Sequence, residues 1–406
     1  MAGSDPDQYG KNIALEVFRY QPDEEDEPRF DRYEVPYRKD WVVLDALNHI
    51  KDEMDGTLSY RWSCRMGVCG SCGMMVNGEA KLTCATFLRD YYPEPIRIQP
   101  LDNFPVVRDL VINMDDFLHK LGAVQAWMIP KEERSVSEGE YRQSPAELAR
   151  YKDFSMCINC MLCYSACPVY GRDQSFIGPA AIALAQRYNL DSRDGGAGDR
   201  AEVIFSHEGI WDCTFVGDCT RVCPKDVDPA GAIQQAKVDA TKDLFLSVLV
   251  PHGTKETVSD KLSTETSKQR DMSNQSAALK SKEYVRPIPV TWWLKRKTYF
   301  LFMVRELTSL FVGGYALFLL VLLSQANNAD AFAAMLNSPW SVGLHLVALL
   351  MVLYHSITWI NLTPKVMVLW RGEDRVDPRW IAAGNYVAWV SLSILIFGIC
   401  WKIAGT

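Results

Sequence analysis

The spacing of four cysteines in one short stretch constrains this chain more than any other feature. They follow the pattern C-x2-C-x2-C-x3-C-P, as Cys157, Cys160, Cys163 and Cys167 before Pro168. In this spacing three thiolates bind one iron–sulfur cluster, whereas the fourth ligates a second cluster. The sequence therefore predicts two clusters and a second cysteine run that exchanges its last ligand with the first.

The second run lacks one cysteine. Cys213, Cys219 and Cys223-Pro224 keep the spacing, and Val216 stands where another cysteine is expected. One cluster then has four ligands, a predicted [4Fe-4S] site of Cys157, Cys160, Cys163 and Cys223. The other has three thiolates beside an apolar side chain, a predicted [3Fe-4S] site of Cys167, Cys213 and Cys219. The alternative is zinc, but zinc needs four ligands per site and does not require two Cys-Pro signatures.

A third cysteine set lies nearer the start of the chain. Its C-x4-C-x2-C…C order is the plant-type [2Fe-2S] spacing, which predicts as ligands Cys64, Cys69, Cys72 and Cys84. The glycines among them, Gly67, Gly70 and Gly73, let the backbone approach a cluster and direct amides at its sulfur atoms. Alternating apolar residues near Ile13, a helical pattern from Val43 and an Asn77-Gly78 turn predict a small α+β domain.

These patterns predict three domains with a linker. Residues 1–105 form the plant-type ferredoxin domain of the β-grasp type, and residues 106–250 form an α-helical domain like that of bacterial ferredoxins. Within the latter, helices are expected over 105–127, after a Ser144–Glu147 capping box, from Pro179 and from Asp228-Pro229. Residues 251–283 are rich in Ser, Thr, Lys and Glu and predict a flexible linker.

Residues 284–406 predict a membrane anchor. Three apolar segments, near 300–323, 340–362 and 380–403, have the length of transmembrane helices. Lysines and arginines flank the cytoplasmic side in this prediction, namely Lys280, Lys282, Arg286, Lys295, Arg296, Lys297, Lys365, Arg371, Arg375 and Arg379. The stretch 324–339 has none, so the positive-inside rule places the carboxyl terminus outside the inner membrane.

Charge and cysteine content limit the function classes. The formal net charge is -7 and the cysteine-rich part has no basic stripe, which argues against a nucleic-acid partner. The first residues do not resemble an export signal, so the cysteine-rich part is expected in a reducing cytosol, where clustered cysteines bind metal. Only Cys400 is left without a ligand role.

Ionisable residues occur inside the predicted spans. Arg305-Glu306 lies near the cytoplasmic end of the first span, where the pair indicates a site but can also extend to the membrane surface. His345 and His355 are ten residues apart in the second span, so they lie ~15 Å apart and ~80° off a common face. They cannot jointly hold a haem, and haem b is not expected, although one of them could pair with a histidine of another chain.

Together these motifs resemble known respiratory subunits. Residues 10–250 resemble the iron–sulfur subunit of fumarate reductases and succinate dehydrogenases, through CRMGVCGSCG at 64–73, MCINC at 156–160 and CTFVGDCTRVCPK at 213–225. Residues 282–406 resemble a membrane-anchor subunit of the fumarate reductase type, through YVRP at 284–287, the tryptophan pair at 292–293 and HSITW at 355–359. The departure from the family pattern is the fusion of two subunits in one chain.

The resemblance implies an electron relay for anaerobic respiration. Electrons would pass from menaquinol or ubiquinol to a separate subunit with covalent FAD that reduces fumarate. It also implies a quinone site of Thr214, Phe215, Gln234, Lys237, Arg305, Glu306, His355 and Trp359. Because quinol oxidation releases protons, Glu306 is the predicted proton acceptor, with Lys237 and Arg305 as donors to the quinone oxygens.

Two other functions remain open at this point. A succinate:quinone oxidoreductase uses the same parts in the reverse direction. A standalone membrane-tethered polyferredoxin would lack a dedicated catalytic partner. For a fumarate reductase or a succinate:quinone oxidoreductase, a second three-helix membrane subunit and membrane lipid are also expected partners.

Overall fold

The computed structural model describes residues 11–22, 24, 26–249, 283–325, 327–366, 370–371 and 374–404. They belong to two compact units, Met1–Ile288 and Pro289–Thr406. The predicted linker, 251–283, lies outside the described residues except for Glu283.

A mixed five-stranded sheet forms the first part of the chain. Its order is β2-β1-β5-β3-β4, and only the β1–β5 pair is parallel. The strands are β1 Asn12–Arg19, β2 Arg29–Pro36, β3 Gly73–Val76, β4 Glu79–Leu82 and β5 Ile96–Gln99. Helix α1, Val43–His49, continues as a π-helical turn, Ile50–Met54, and its apolar residues share a core with those of β1. The predicted α+β domain is thus confirmed.

The β3–β4 hairpin sets the positions of two cysteines. Asn77 and Gly78 have φ angles of 47° and 79°, the left-handed pair that a tight two-residue hairpin turn requires. The register pairs Gly73 with Leu82, so Cys72 and Thr83 lie side by side at the open end. There, the Thr83 amide donates to the Cys72 carbonyl at 3.0 Å. The turn therefore brings Cys72 close to Cys84.

The prediction of one helix over residues 105–127 is wrong. The segment forms two short strands, β6 Val106–Arg108 and β7 Val111–Ile112, before α2, Asp115–Ala123. Between the strands, buried Asp109 has a φ of 44° and accepts hydrogen bonds from Arg19 Nε, at 3.1 Å, and from the Ser59 amide, at 2.8 Å. These long-range bonds hold Asp109 in a conformation that a helix does not allow.

Short helices connect the cysteine loops of residues 145–249. The Ser144 hydroxyl accepts from the Glu147 amide at 3.3 Å, and the Glu147 carboxylate accepts from the Ser144 amide at 2.8 Å, which confirms the capping box. The helices that begin at Pro179 and Pro229 are also confirmed. In chain order the helices are α3 Pro145–Tyr151, α4 Leu162–Ser165, α5 Pro168–Arg172, α6 Pro179–Asn189, α7 Ala197–Ile204, α8 Asp218–Arg221 and α9 Pro229–Leu249.

The second unit contains three helices that are long and apolar enough to cross a membrane. They confirm the three predicted spans, and their mean hydropathies are 2.1, 1.6 and 1.6. A short helix, which the sequence patterns did not predict, lies between the first two, and a two-stranded ribbon precedes the third. The elements are α10 Lys297–Ser324, α11 Ala329–Leu336, α12 Pro339–Val366, β8 Trp370–Arg371, β9 Asp374–Arg375 and α13 Pro378–Ala404.

Candidate iron–sulfur centres and membrane site

Backbone amides surround the first cysteine of the plant-type set. The amides of Met66, Val68 and Cys69 donate to Cys64 Sγ at 3.4, 3.4 and 3.3 Å. These hydrogen bonds lower the pKa of the Cys64 thiol to about 6, because they stabilise the thiolate. A loop that stabilises an anionic sulfur in this way suits a cluster ligand.

The other cysteines of this set lie near Cys64. The Cys64 amide donates to Cys69 Sγ at 3.4 Å. Cys84 lies in the 3₁₀ turn Thr83–Ala85 at the end of the hairpin. Burial, followed by contact with the Cys72 thiol, raises the pKa of Cys84 to about 11, and Cys64 contributes in the same direction. The structure thus brings the four predicted [2Fe-2S] ligands into one neighbourhood.

Two later loops share one backbone conformation, 56 positions apart. Asn159 and Met161 have φ angles of 54° and 62°, and their counterparts, Phe215 and Gly217, have 58° and 81°. The turns before them, Phe154–Met156 and Ile210–Asp212, and the helices after them, α4 and α8, keep the same offset. Val216 therefore occupies the backbone position of Cys160, as the spacing predicted.

Each of the two predicted ligand sets lines its own cavity. A space of about 390 Å³ is lined by all four predicted [4Fe-4S] ligands, including Cys223 from the second loop. A space of about 330 Å³ is lined by Cys167, Cys213 and Cys219, with Val216 in the same wall. The loops thus exchange their last cysteines. Within the described ranges, no three Cys, His, Asp or Glu side chains converge as a single metal ion requires.

Burial shapes the chemistry of these thiols. It raises the pKa values of Cys160 and Cys167 to about 12, and those of Cys163 and Cys219 well above the usual range. A buried thiolate is costly unless a cationic metal compensates its charge. The amides of Asn159 and Phe215, at equivalent positions, act in the opposite direction on Cys157 and Cys213. The residues present therefore fit iron–sulfur clusters.

The plant-type loop lies directly against the first of these two loops. An ideal Cβ on Gly70 would lie 2.8 Å from the Ile158 carbonyl oxygen and 2.9 Å from Cys160 Cα. One on Gly73 would lie 3.2 Å from the Cys160 carbonyl oxygen. Gly67 has nothing within 4 Å of such an atom. Gly70 and Gly73 thus permit contact between two cysteine loops.

Polar residues of the predicted quinone set lie around the three-thiol cavity. Thr214 and Phe215 line the cavity. Lys237 Nζ donates to the Cys213 carbonyl at 2.8 Å, and burial lowers the pKa of this amine. Gln234 Nε2 is buried, and no hydrogen-bond partner for it occurs among the residues described. These side chains offer donors in a largely apolar setting.

The membrane residues of the predicted set gather on two helices. Arg305 of α10 is buried, with its guanidinium 3.3 Å from the Glu306 carboxylate and 5.8 Å from the centre of the Trp359 ring. The Trp359 ring lies 6.1 Å from that of His355. Cation and carboxylate thus lie beside aromatic rings, an arrangement that can bind a polar aromatic head group.

Sequence reasoning missed two residues of this group. The Thr308 hydroxyl lies 3.1 Å from His355 Nδ1, and the Phe302 ring is 5.2 Å from the Arg305 guanidinium. Both are three residues from Arg305, so helical spacing could have found them. His345 lies apart from this group, with Nδ1 2.9 Å from the Tyr315 hydroxyl.

Three known families match successive parts of the chain. Residues 14–119 match a 2Fe-2S iron-sulfur cluster binding domain, and residues 153–227 match a 4Fe-4S dicluster domain. Residues 279–401 match the family of type-C fumarate reductase subunits. The fumarate reductase iron-sulfur subunit of Mycobacterium tuberculosis is 59% identical over 241 residues, which cover 59% of this chain and 98% of that protein. The chain belongs to the family of fumarate reductase iron–sulfur subunits.

Relatives extend the comparison. The fumarate reductase iron-sulfur subunit of Escherichia coli O6:H1 is 52% identical over 241 residues, which cover 59% of this chain and 98% of that one. The succinate dehydrogenase iron-sulfur subunit of Paracoccus denitrificans is 37% identical over 223 residues, which cover 54% and 85%. A chain of the Mycobacterium smegmatis Sdh1 complex in the apo form superposes with a TM-score of 0.54 and 26% identity, covering 58% and 98%.

These matches confirm the predicted organisation. The iron–sulfur part has a 2Fe-2S domain and a 4Fe-4S dicluster domain, and a membrane-anchor domain of the fumarate reductase type follows them in the same polypeptide. The protein is part of an oxidoreductase complex and is associated with a membrane. Membership in this family favours a relay within such a complex over a standalone polyferredoxin.

Proposed function

We propose that this chain relays electrons from menaquinol to a separate FAD subunit that reduces fumarate to succinate. The observation that carries the proposal is the pair of cavities with four and three cysteines, each lined by the ligand set that the spacing predicts. The protein that holds them also has three helices able to cross a membrane, where a quinol dissolves. An electron path between a membrane and a soluble catalytic partner needs both parts.

The cysteines divide into three ligand sets in this proposal. Cys64, Cys69, Cys72 and Cys84 hold [2Fe-2S]. Cys157, Cys160, Cys163 and Cys223 hold [4Fe-4S]. Cys167, Cys213 and Cys219 hold [3Fe-4S], because Val216 provides no fourth thiolate. When bound, the three clusters supply one-electron carriers between the two-electron reactions of quinol and fumarate.

The protein side chains handle the protons and the quinone oxygens. Glu306 accepts a proton from the quinol, and its carboxylate is held by Arg305 at 3.3 Å. Arg305 and Lys237 donate to quinone oxygens, and the amine of Lys237 is already oriented by the Cys213 carbonyl. The remaining proposed contacts, assigned by resemblance, are Thr214, Phe215, Gln234, His355 and Trp359.

The proposal also assigns partners and sidedness. A second three-helix membrane subunit joins the anchor, whose long helices have many exposed leucines and valines. The positive-inside distribution of Lys and Arg places the iron–sulfur domains on the cytoplasmic side of the inner membrane and the carboxyl terminus outside. Neither histidine of the second span is assigned a haem, since His355 bonds to Thr308 and His345 to Tyr315.

Glu306→Gln tests the proposed proton acceptor. The amide cannot accept the proton at neutral pH, so quinol-coupled fumarate reduction should fall by ~100-fold or more, within the usual range for general acid–base groups. Fumarate reduction with an artificial dye that donates directly to the iron–sulfur domains should stay unchanged. Asp330→Asn, which removes another exposed carboxylate of the same unit, is the matched control and should leave both activities intact. Equal loss of both activities in Glu306→Gln would contradict the assignment.

Succinate oxidation with quinone as acceptor is the second candidate. The similarity to the succinate dehydrogenase subunit of Paracoccus and to the Sdh1 complex favours it. Both directions should be measured on the purified complex with menaquinone and ubiquinone analogues. A faster fumarate reduction with the menaquinol analogue supports the first proposal, and a faster succinate oxidation with either quinone supports the second.

A further inference from the structure

A short segment after the predicted linker belongs to two parts of the protein at once. Glu283–Ile288 lies inside the match to the fumarate reductase anchor family, which spans residues 279–401. In space, however, the segment belongs to the compact unit Met1–Ile288 and packs on the iron–sulfur domains. A piece of the anchor family therefore lies on the surface of the iron–sulfur part.

Backbone pairing holds the middle of this segment. Tyr284 and Val106 form an antiparallel bridge, with the Val106 amide 2.9 Å from the Tyr284 carbonyl oxygen and the reverse bond at 3.0 Å. The Tyr284 ring packs against the β-grasp core, with its centre 5.6 Å from that of Tyr20 and 6.4 Å from that of Phe18. Strand pairing combined with an aromatic anchor is a common way to bind a peptide.

Polar groups fix the two sides of the bridge. Asn113 Nδ2 donates to Glu283 Oε1 at 2.9 Å. Arg286 Nη1 lies 2.9 Å from Asp102 Oδ1, and Nη2 donates to the Leu101 carbonyl. The Arg286 side chain is only 18% exposed, and burial lowers its pKa. A buried guanidinium that has both a carboxylate and a carbonyl as acceptors is a specific contact.

The lengths of the relatives show that this surface fits a separate polypeptide. The subunits from Mycobacterium tuberculosis and Escherichia coli are covered over 98% of their length by 241 residues of this chain. Those proteins match the part with the receptor residues Leu101, Asp102, Val106 and Asn113, and they do not extend over the anchor family's match. No covalent link is therefore needed for such a surface to meet such a segment.

We propose that Glu283–Ile288 is a docking strand that binds the anchor half of this chain noncovalently to the iron–sulfur half. The bond to Val106, the Tyr284 ring and the Arg286–Asp102 ion pair provide the affinity. The connection through residues 250–282 is then dispensable for assembly, and it serves to keep the two halves in equal number. The inference concerns assembly and does not depend on the direction of electron flow.

A cleavable full-length protein tests this inference. A site-specific protease sequence replaces residues 262–268, and the complex is purified in detergent through a tag on the iron–sulfur half. After cleavage, the anchor half should remain bound to the tagged half. Arg286→Ala and Tyr284→Ala should each speed its release, and Arg286→Ala by roughly 100-fold or more, as expected when one partner of a buried ion pair is removed. An excess of a synthetic peptide with residues 280–290 should release the anchor half, and a scrambled peptide should not.

Val285→Ala is the matched control, because the Val285 side chain is 65% exposed between the two anchoring residues. It should leave the release rate unchanged. Asp102→Ala combined with Arg286→Ala should cost less than the sum of the single changes, since the two side chains act on each other. Release of the wild-type anchor half upon cleavage would overturn the proposal. Retention of Arg286→Ala and Tyr284→Ala at the wild-type rate would overturn it as well.

Discussion

Gly70 brings the plant-type cysteine loop into contact with the loop of Cys157–Cys163, and its replacement by alanine tests that contact. Its φ is 72°, and an added Cβ would meet the Ile158 carbonyl oxygen at 2.8 Å and the Cys160 Cα and Cβ at 2.9 and 3.0 Å. These are backbone atoms and a ligand side chain, not the end of a flexible side chain. To reach an ordinary contact of 3.4 Å, one loop must move away from the other.

The size of the effect follows from two contributions. A left-handed backbone costs an L-residue ~1–2 kcal/mol relative to glycine, and this cost applies to Gly67→Ala as well, where φ is 67°. Overpacking adds ~1–3 kcal/mol at Gly70 only, because Gly67 has nothing within 4 Å of the added atom. We therefore expect Gly70→Ala to lose ~1–3 kcal/mol more stability than Gly67→Ala.

The assay is the midpoint temperature at which heating bleaches the visible absorbance of the iron–sulfur clusters. For a domain of this size ~1 kcal/mol corresponds to ~2–4 °C, so the midpoint of Gly70→Ala should lie roughly 2–12 °C below that of Gly67→Ala. Iron and sulfide contents at low temperature should match the wild type in both variants, since all cysteines are retained. Equal midpoints for the two variants would refute the close contact between the loops.

Two further changes test the cysteine cavities and the helical part. Val216→Cys places a thiol at the position equivalent to Cys160, so the EPR signal of an oxidised [3Fe-4S] cluster should give way to that of a reduced [4Fe-4S] cluster, whereas Val216→Ala should keep the former. Persistence of the [3Fe-4S] signal in the cysteine variant would argue against the ligand assignment. Asp194→Asn weakens a fully buried pair with Arg200, at 2.7 Å, and should lower the free energy of unfolding by ~3–5 kcal/mol. The double change Asp194→Leu and Arg200→Met should lower the thermal midpoint less than Asp194→Asn does; a larger drop would contradict this view of the pair.

Features that depend on neighbours in sequence could be predicted. The capping box at Ser144–Glu147 and the Asn77-Gly78 turn act over two to four residues, and both occur in the structure. The three long helices follow from continuous apolar segments, which no other structure in a membrane protein satisfies as well. The cysteine spacing also predicted which thiols line which cavity, because the loop geometry is local and repeats 56 residues later.

Features that depend on distant residues could not be predicted. Asp109 lies in an apolar stretch that reads as a helix, but its carboxylate binds Arg19 and Ser59, which are 90 and 50 residues away. The docking of Tyr284 on Val106 joins residues that are far apart in the chain, and neither residue carries a local signal for it. For such contacts, tertiary packing outweighs the helical periodicity that local patterns report.

The two cysteine loops separate the fold of the protein from its cofactor content. Met161 and Phe215 have left-handed φ angles of 62° and 58°, which cost a non-glycine residue ~1–3 kcal/mol unless the surroundings enforce them. Both loops keep this conformation although one has a cysteine at the second ligand position and the other has Val216. The flanking 3₁₀ turns and helices are also the same in both, so the fourth ligand is not what shapes the loop. The number of thiols in each cavity is therefore set by a single side chain, and it can change without a change of backbone.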